Sequence, residues 1–181
     1  KVVGMAGILD SSRFIYFPSQ ELNVPVQKIK SFVLGGHGDS MVAMLGSTEI
    51  DGKKIQDFLN EGKISQQRIN DIVDRTKKGG AEIVKFLEKG SAFYAPAASG
   101  VEMAESYLQD LKKQLPCAVH LDGQYGSENI YAGVPVIIGK NGVEKVIEIK
   151  LSDKEREDFK KSIKSVEELF NAAKKIDPSL E

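Results

Sequence analysis

The sequence predicts an α+β domain, in which a mixed, mainly antiparallel sheet is packed by long helices. Two observations carry this prediction. Apolar segments bounded by turn residues are typical of strands, and longer segments with apolar residues at helical spacing are typical of helices. The predicted strands include residues 117–121, 134–138 and 143–151, and the predicted helices include residues 65–78, 97–114 and the segment after Ser152. A hairpin turn at residues 140–142 makes the last two strands antiparallel neighbours.

Length and composition are those of one globular domain. The 181 residues are enough for a sizeable core, and 41% hydrophobic with 28% charged residues is ordinary for a soluble protein. A net charge of −1 argues against a nucleic-acid-binding protein, and no apolar run approaches the ~20 residues of a membrane span. Cys117 is the only cysteine, and its apolar neighbours predict a buried thiol in a reducing compartment.

The amino-terminal third contains two segments of interest. Val2 and Val3 directly follow Lys1 and predict a short strand, so we expect the chain to be a piece of a longer protein. Asp10 is predicted to cap a helix over residues 11–22, which Pro18 should bend. Strand character at residues 29–34 and again at residues 41–45 predicts a broad hairpin around the glycine-rich turn between them.

Three further expectations concern the carboxy-terminal two thirds. The pair Gly79-Gly80 is predicted to interrupt the helix with a kink, after which a second helical segment continues up to Gly90. In the helix over residues 97–114, the apolar stripe of Val101, Ala104, Leu108 and Leu111 is expected in the core. Pro135 is expected near the start of an edge strand, where a missing amide is tolerated.

The last helix should begin with a capping box made by Ser152 and Glu155. Its predicted buried stripe consists of Phe159, Ile163, Val166, Leu169, Ala173 and Ile176.

Three polar residues are candidates for a catalytic site: His37, Asp10 and Arg13. His37 follows a predicted strand on a glycine-rich turn, and an imidazole there suits proton transfer near neutral pH. Asp10 and Arg13 are three residues apart and share a helix face. A guanidinium can hold a substrate carboxylate with two parallel bonds, and a carboxylate can orient an imidazole. These residue types suit a reaction on a small 2-oxo or 2-hydroxy acid, although the sequence alone does not place His37 opposite the other two.

Four motifs resemble those of the lactate and malate dehydrogenases. The segment GILDSSRF at residues 7–14 is similar to the catalytic segment of that family, and GHGDS at residues 36–40 is similar to its active-site histidine loop. The segments SAFYAPAAS at residues 91–99 and GQYG at residues 123–126 also match. The resemblance covers essentially the whole chain and implies that residues 1–181 are the substrate-binding and catalytic domain.

The resemblance also implies roles for individual residues. His37 would be the proton donor and acceptor, Asp10 its orienting partner, and Arg13 the group that binds the substrate carboxylate. Ala92 would be part of the pocket wall near the substrate, and Pro96 would lie near the nicotinamide. Asp39 belongs to the loop motif and would have a supporting role.

Other parts of such an enzyme are missing from the sequence. No Gly-x-Gly-x-x-Gly turn follows a strand, so the resemblance implies that an amino-terminal domain binds most of the NAD. The mobile loop that selects between pyruvate and oxaloacetate is also missing. We therefore expect the chain alone to fold without catalytic activity. Overall likeness to bacterial malate dehydrogenases favours malate and oxaloacetate as substrates, with a lactate dehydrogenase as the alternative. It also implies a cytoplasmic homo-oligomer.

Three other classes of function compete with this interpretation. His37 with Asp39 and His120 with Asp122 form two His-x-Asp pairs that could bind a metal such as zinc, although no Cys or third His joins them. Ser40 near His37 could indicate a serine hydrolase, but the chain lacks a G-x-S-x-G nucleophile elbow. The isolated domain could instead be a non-catalytic fragment that only associates with copies of itself.

Overall fold

The structure is a computed structural model and describes residues 2–180. These residues form five α-helices and eight β-strands. The helices are α1 (Ala6–Leu22), α2 (Ile55–Asn60), α3 (Gln66–Leu87), α4 (Tyr94–Leu108) and α5 (Asp153–Ile176). The strands are β1 (Ile29–Lys30), β2 (Val33–Leu34), β3 (Val42–Ala43), β4 (Glu49–Ile50), β5 (Lys53–Lys54), β6 (Lys113–Asp122), β7 (Glu128–Gly139) and β8 (Gly142–Val146).

The strands form three antiparallel sheets, which have the orders β1-β4-β5, β2-β3 and β6-β7-β8. The last sheet is the largest, and α1, α4 and α5 pack against its strands. Helix α1 also packs against α3, so it lies at the centre of the fold. The predicted α+β class, with antiparallel pairing and long packed helices, is confirmed.

Two hydrophobic clusters form the core on either side of α1. One surrounds the large sheet and includes Cys117, Val134 and Phe159. The other lies among α1, the small sheets and α3, and includes Phe14 and Ile50. The predicted burial of Cys117 is confirmed, and burial raises the pKa of its thiol to about 12.

Helix α1 begins earlier than the sequence predicted. Its amino-terminal cap is Met5, so Asp10 lies within the second turn and the prediction that Asp10 caps the helix is wrong. The predicted strand at Val2 and Val3 is also absent from the described residues. Instead, Gly4 exchanges two backbone hydrogen bonds with Ala118 of β6, and the helix starts directly afterwards. Asp10 is thereby free to point away from the helix end and towards other side chains.

Helix α3 runs through Gly79 and Gly80 without interruption, so the prediction that this pair divides the segment into two helices is wrong. Neither glycine has a positive φ. Gly79 is buried, and the side chain of Arg13 from α1 lies directly over it. The glycine is therefore explained by a close side-chain approach, not by a break in the backbone.

The expected core stripe of α4 is exposed, which corrects the sequence prediction. Val101 is 56% exposed and Leu108 is 77% exposed, and Leu111 lies beyond the helix end and is also exposed. The buried residues of the helix are Ser99 and Ser106 instead. Ser106 donates a hydrogen bond to the carbonyl of Ile138 at 2.6 Å and is fully buried.

Pro135 lies in the middle of β7, the central strand, so its expected edge position is wrong. The carbonyl of Pro135 accepts a hydrogen bond from the Ile147 amide, so the nitrogen of Pro135 faces the same side. The pairing of β7 with β8 ends at Val136, so Pro135 lies at the end of that ladder, where a missing amide is tolerated.

The predicted capping box of α5 is confirmed. Ser152 accepts a hydrogen bond from the Glu155 amide, and the Glu155 carboxylate accepts one from the Ser152 amide at 2.9 Å. The predicted buried stripe holds only in the first half of the helix. Phe159 and Ile163 are buried, whereas Leu169 and Ile176 are exposed.

Candidate active site

Asp10 is the centre of the candidate site, because it contacts both of the other residues that the sequence singled out. Its Oδ2 lies 2.6 Å from Nδ1 of His37, and its Oδ1 accepts a hydrogen bond from Arg13 at 3.1 Å. The aspartate is only 1% exposed. Asp10 and Arg13 share a face of α1 as predicted, and the structure adds what the sequence could not show, which is that His37 lies against Asp10.

His37 lies on the hairpin between β2 and β3, as predicted. The strands pair Val33 with Ala43 and Leu34 with Val42, and the loop then uses positive φ angles of 86° at Gly35 and 77° at Gly38. The His37 side chain is 54% exposed, so a reactant could reach it. With Nδ1 directed at the Asp10 carboxylate, Nδ1 carries a proton and Nε2 is the nitrogen left for a reactant.

The electrostatics of this pair favour a protonated histidine. The hydrogen bond with Asp10 raises the pKa of His37 above its ordinary value, although partial burial and the nearby charge of Arg13 oppose the rise. The carboxylate therefore does two things: it fixes the tautomer of the ring, and it stabilises the imidazolium form.

The backbone of the histidine loop is held from two sides. Gly35 exchanges two hydrogen bonds of 2.8 Å with Gly133 on the central strand β7. The amide of Gly36 donates a hydrogen bond to the hydroxyl of Ser162 on α5, also at 2.8 Å. These contacts come from residues far away in the sequence, so sequence reasoning missed them.

Arg13 is positioned by a second helix. A Cβ atom placed on Gly79 would lie 2.9 Å from Cδ and 3.2 Å from Nε of Arg13, so a larger residue there would displace the arginine side chain from α3. The sequence showed a glycine pair inside a helical pattern. Only the structure shows that Gly79 leaves space for the side chain of Arg13.

The structure does not bring Ala92 and Pro96 into the cluster of Asp10, Arg13 and His37. Ala92 is half-buried in the segment before α4, and Pro96 is half-buried in the first turn of that helix. Helix α4 packs against α1, so Pro96 lies on a neighbouring helix and Ala92 lies just before it. Asp39 is exposed in the short 3₁₀ turn after His37, and its charge acts on Lys78 of α3.

A cavity of about 190 Å³ lies beside the histidine, and Asp10, Gly36, His37 and Val166 contribute to its lining. Ligand pockets are commonly ~300–1,000 Å³. The cavity beside His37 is therefore smaller than a typical small-molecule pocket.

Metal binding gains no support from the arrangement of side chains. Within residues 2–180, no three or more His, Cys, Asp and Glu residues are grouped so that they could hold an ion. His120 lies on β6 and makes an edge contact with the ring of Tyr131 at 5.5 Å. Over the same range, no helix is long and apolar enough to cross a membrane.

The fold and the site define a class of protein: an α+β domain whose buried carboxylate joins an imidazole and a guanidinium. Comparison with known proteins narrows this class. Residues 8–177 match the sequence profile of the lactate/malate dehydrogenase α/β C-terminal domain. The chain therefore belongs to the lactate/malate dehydrogenase family and corresponds to its carboxy-terminal domain.

Individual relatives agree with this assignment. A malate dehydrogenase of Pelagibacter ubique is 64% identical over 180 residues, which are 99% of this chain and 56% of that protein. The crystal structure of Cryptosporidium parvum malate dehydrogenase is 47% identical with a TM-score of 0.94, and the match covers 96% of this chain and 55% of that one. The C. parvum lactate dehydrogenase complexed with lactic acid and nicotinamide adenine dinucleotide is 43% identical with a TM-score of 0.90, over 92% and 52% of the two chains. The chain thus spans about half the length of these relatives.

Proposed function

We propose that this chain is the substrate-binding and catalytic domain of an NAD-dependent malate dehydrogenase, which interconverts (S)-malate and oxaloacetate. The observation that carries the proposal is the buried Asp10 carboxylate, which contacts His37 through one oxygen and Arg13 through the other. The same carboxylate therefore sets the positions of a proton-transfer group and a carboxylate-binding group, and a 2-hydroxy acid needs both.

In this proposal, His37 moves the proton at the substrate C2 oxygen. During oxidation the neutral Nε2 accepts the hydroxyl proton, and during reduction the imidazolium returns it to the carbonyl oxygen. Asp10 keeps Nδ1 protonated throughout, so that Nε2 is always the nitrogen that faces the substrate. The raised pKa of His37 fits the reduction direction, in which the ring must begin charged.

Arg13 binds the carboxylate next to the reacting carbon. Its side chain is largely buried near the middle of α1, and its contact with Asp10 orients the guanidinium. The planar guanidinium can donate two parallel hydrogen bonds to a carboxylate. Arg13 and His37 contact the two oxygens of one aspartate, so the carboxylate-binding group and the proton-transfer group are neighbours, as are the carboxylate and the C2 oxygen of a 2-hydroxy acid.

NAD supplies the hydride acceptor in this reaction, and the described residues are not built to hold most of that cofactor. Their sheets are antiparallel, and none of the helices follows a parallel strand through a Gly-x-Gly-x-x-Gly turn. We therefore assign NAD binding to a separate amino-terminal domain of the full-length protein. Here Ala92 would contribute to the substrate pocket wall, and Pro96 would border the nicotinamide.

Three finer statements belong to the same proposal. Malate is favoured over lactate because the relative with 64% identity is a malate dehydrogenase, although lactate dehydrogenases share the fold. A homo-oligomer is supported by the exposed apolar residues of α4, such as Val101 and Leu108. The buried, unpaired thiol of Cys117 suits a cytoplasmic location.

The decisive experiment measures NADH oxidation with oxaloacetate and, separately, with pyruvate. It compares the 181-residue chain with the full-length protein. Turnover of oxaloacetate by the full-length protein, and none by the chain alone, is the expected result. A preference for pyruvate would make the parent a lactate dehydrogenase with the same roles for His37 and Arg13. Turnover of neither substrate by the full-length protein would refute the proposed function.

A further inference from the structure

We infer that Ser162 is a positioning residue for His37, which fixes the backbone before the histidine and so holds the imidazole against Asp10. The catalytic meaning of this inference rests on the proposed function, whereas the positioning itself does not. Ser162 lies on α5, far from the candidate site in sequence, and the resemblance to the family gave it no role.

The contact between Ser162 and the loop is close and buried. Ser162 is 2% exposed, and its hydroxyl accepts a hydrogen bond from the Gly36 amide at 2.8 Å. A Cβ atom placed on Gly35 would lie 2.8 Å from Cβ of Ser162, and one placed on Gly36 would lie 3.2 Å from a methyl group of Val166. Ser162 and Val166 are one helical turn apart, so the same face of α5 supports the backbone of residues 35 and 36.

Helix α5 is itself well anchored near this contact. Its buried Glu155 accepts hydrogen bonds from the Ser152 amide at 2.9 Å and from the Gly46 amide at 3.0 Å. Gly46 follows β3, the strand that completes the His37 hairpin. The helix is therefore joined to the chain on both sides of the histidine, and it can act as a fixed support for the loop.

The position of this backbone decides the position of the imidazole. The His37 side chain is half exposed, and its ring is held through the Nδ1 contact with Asp10. The Gly36 amide that Ser162 binds belongs to the peptide unit directly before the one that leads into His37. A shift of this backbone would lengthen the contact with Asp10 and misplace Nε2, and an error of about 1 Å can reduce turnover ~100-fold.

The first arm of the test measures kinetics on the full-length protein. Ser162→Ala removes the accepting oxygen and keeps Cβ, and Ser165→Ala on the same helix is the matched control. We expect Ser162→Ala to lower kcat for oxaloacetate by about tenfold or more, with KM changed by less than about twofold, because Arg13 is held by other elements. Ser165→Ala should leave both constants unchanged.

The second arm measures the pKa of His37 by NMR titration of the 181-residue chain. The sequence has two histidines, and His120→Gln identifies the signal of His37. The charged groups that act on the ring are Asp10 and Arg13 of α1. Asp39 lies in the same loop and interacts with Lys78 of α3, whereas Ser162 and Val166 of α5 are uncharged.

In Ser162→Ala, the pKa of His37 should fall towards its ordinary value of about 6.5, because the ring is no longer held against Asp10. In Ser165→Ala it should stay raised. An unchanged pKa in Ser162→Ala would overturn the inference whether or not kcat falls, since a loss of activity alone could come from general disturbance. If Ser162→Ala does not fold, Ser162→Cys keeps the shape with a weaker acceptor and should show a smaller fall in pKa.

The two arms separate this inference from the proposed function. If the unaltered full-length protein turns over neither substrate, the proposed function fails. The titration of the chain still decides whether Ser162 positions His37.

Discussion

At the scale of single residues, the candidate site depends on one carboxylate that serves two neighbours. Asp10 is buried, and a buried carboxylate is stable only when it is paired and hydrogen-bonded. Arg13 supplies a permanent charge, and His37 supplies one that depends on pH. The site can therefore change the protonation of His37 while Asp10 keeps a charged partner in Arg13.

The first prediction concerns His37 itself. His37→Asn removes the proton-transfer nitrogen Nε2 but keeps a side chain that can reach Asp10. We expect kcat of the full-length protein to fall by a factor of about 100 or more in both directions. The His37 side chain is half exposed, so far-UV circular dichroism of the 181-residue chain should be unchanged. Retention of most of the turnover would show that another group transfers the proton.

The second prediction concerns Arg13. Arg13→Lys keeps the positive charge but replaces a two-pronged donor with a point charge. We expect KM for oxaloacetate to rise about tenfold or more, with a smaller change in kcat, in steady-state kinetics of the full-length protein. Full activity in Arg13→Lys would mean that the guanidinium does not bind the substrate carboxylate.

The third prediction follows from the raised pKa of His37. Because the folded-state pKa lies above the unfolded value of about 6.5, protonation stabilises the fold at pH values below about 6.5. This contribution is lost as the pH rises through the folded-state pKa. The ring is half exposed, so solvent screening limits the effect to about 0.5 kcal/mol.

Urea unfolding of the 181-residue chain at about pH 5.5 and at about pH 8.5 tests this sign. The difference in stability between the unaltered chain and His37→Asn should be larger at the lower pH. A larger difference at the higher pH would show that the neutral ring is the form stabilised by the fold.

At the scale of elements, α3 shows how a helix can serve a residue on another helix. Gly79 and Gly80 are neighbours in α3, but their surroundings differ. A Cβ on Gly79 would meet Arg13 Cδ at 2.9 Å, whereas a Cβ on Gly80 would lie 4.0 Å from the Arg13 guanidinium, an ordinary contact distance. The two positions form a matched pair for testing whether the glycine is needed for Arg13.

The fourth prediction uses this pair. In a helix interior, alanine is favoured over glycine by about 1 kcal/mol, so Gly80→Ala should raise the melting temperature of the chain. Gly79→Ala should lose this gain because it displaces the Arg13 side chain. In the full-length protein, Gly79→Ala should raise KM for oxaloacetate several-fold, and Gly80→Ala should not. Equal KM values in the two variants would contradict a positioning role for Gly79.

The local features of the fold were predictable from sequence because their causes are local. The capping box at Ser152 and Glu155, the hairpin that carries His37, and the shared face of Asp10 and Arg13 each depend on residues a few positions apart. The contact of His37 with Asp10 depends on the packing of two elements that are separate in sequence. The sequence therefore identified the candidate residues, and only the fold showed that they touch.

Several of the wrong predictions arose because a local pattern does not show which distant residues pack against it. Periodicity, for example, identifies which residues share a helix face, but it does not say what covers that face. The apolar stripe of α4 was expected in the core, yet Val101 and Leu108 are exposed while Ser106 packs on the sheet. Gly79 and Pro135 were given their usual local meanings, whereas their positions are explained by Arg13 and by the end of the pairing between β7 and β8.

At the scale of the whole molecule, large apolar side chains remain exposed on several helices. Tyr94, Val101 and Leu108 of α4 form one group, and Leu169 and Ile176 near the end of α5 form another. Large exposed apolar groups commonly mark sites of protein association. The chain spans about half the length of its relatives, so each group could face a second copy or the remainder of the full-length protein.

The fifth prediction separates these roles. We expect the 181-residue chain to self-associate through α4, because a homo-oligomer of the full-length protein would bury Leu108, which is 77% exposed. Leu108→Lys should therefore shift the chain towards monomer in multi-angle light scattering, whereas Leu169→Lys on α5 should not. Because both side chains are exposed in the described structure, neither change should unfold the domain, and circular dichroism checks this. If Leu169→Lys alone produced monomer, the interface would lie on α5 and the exposed face of α4 would be left for the other half of the protein.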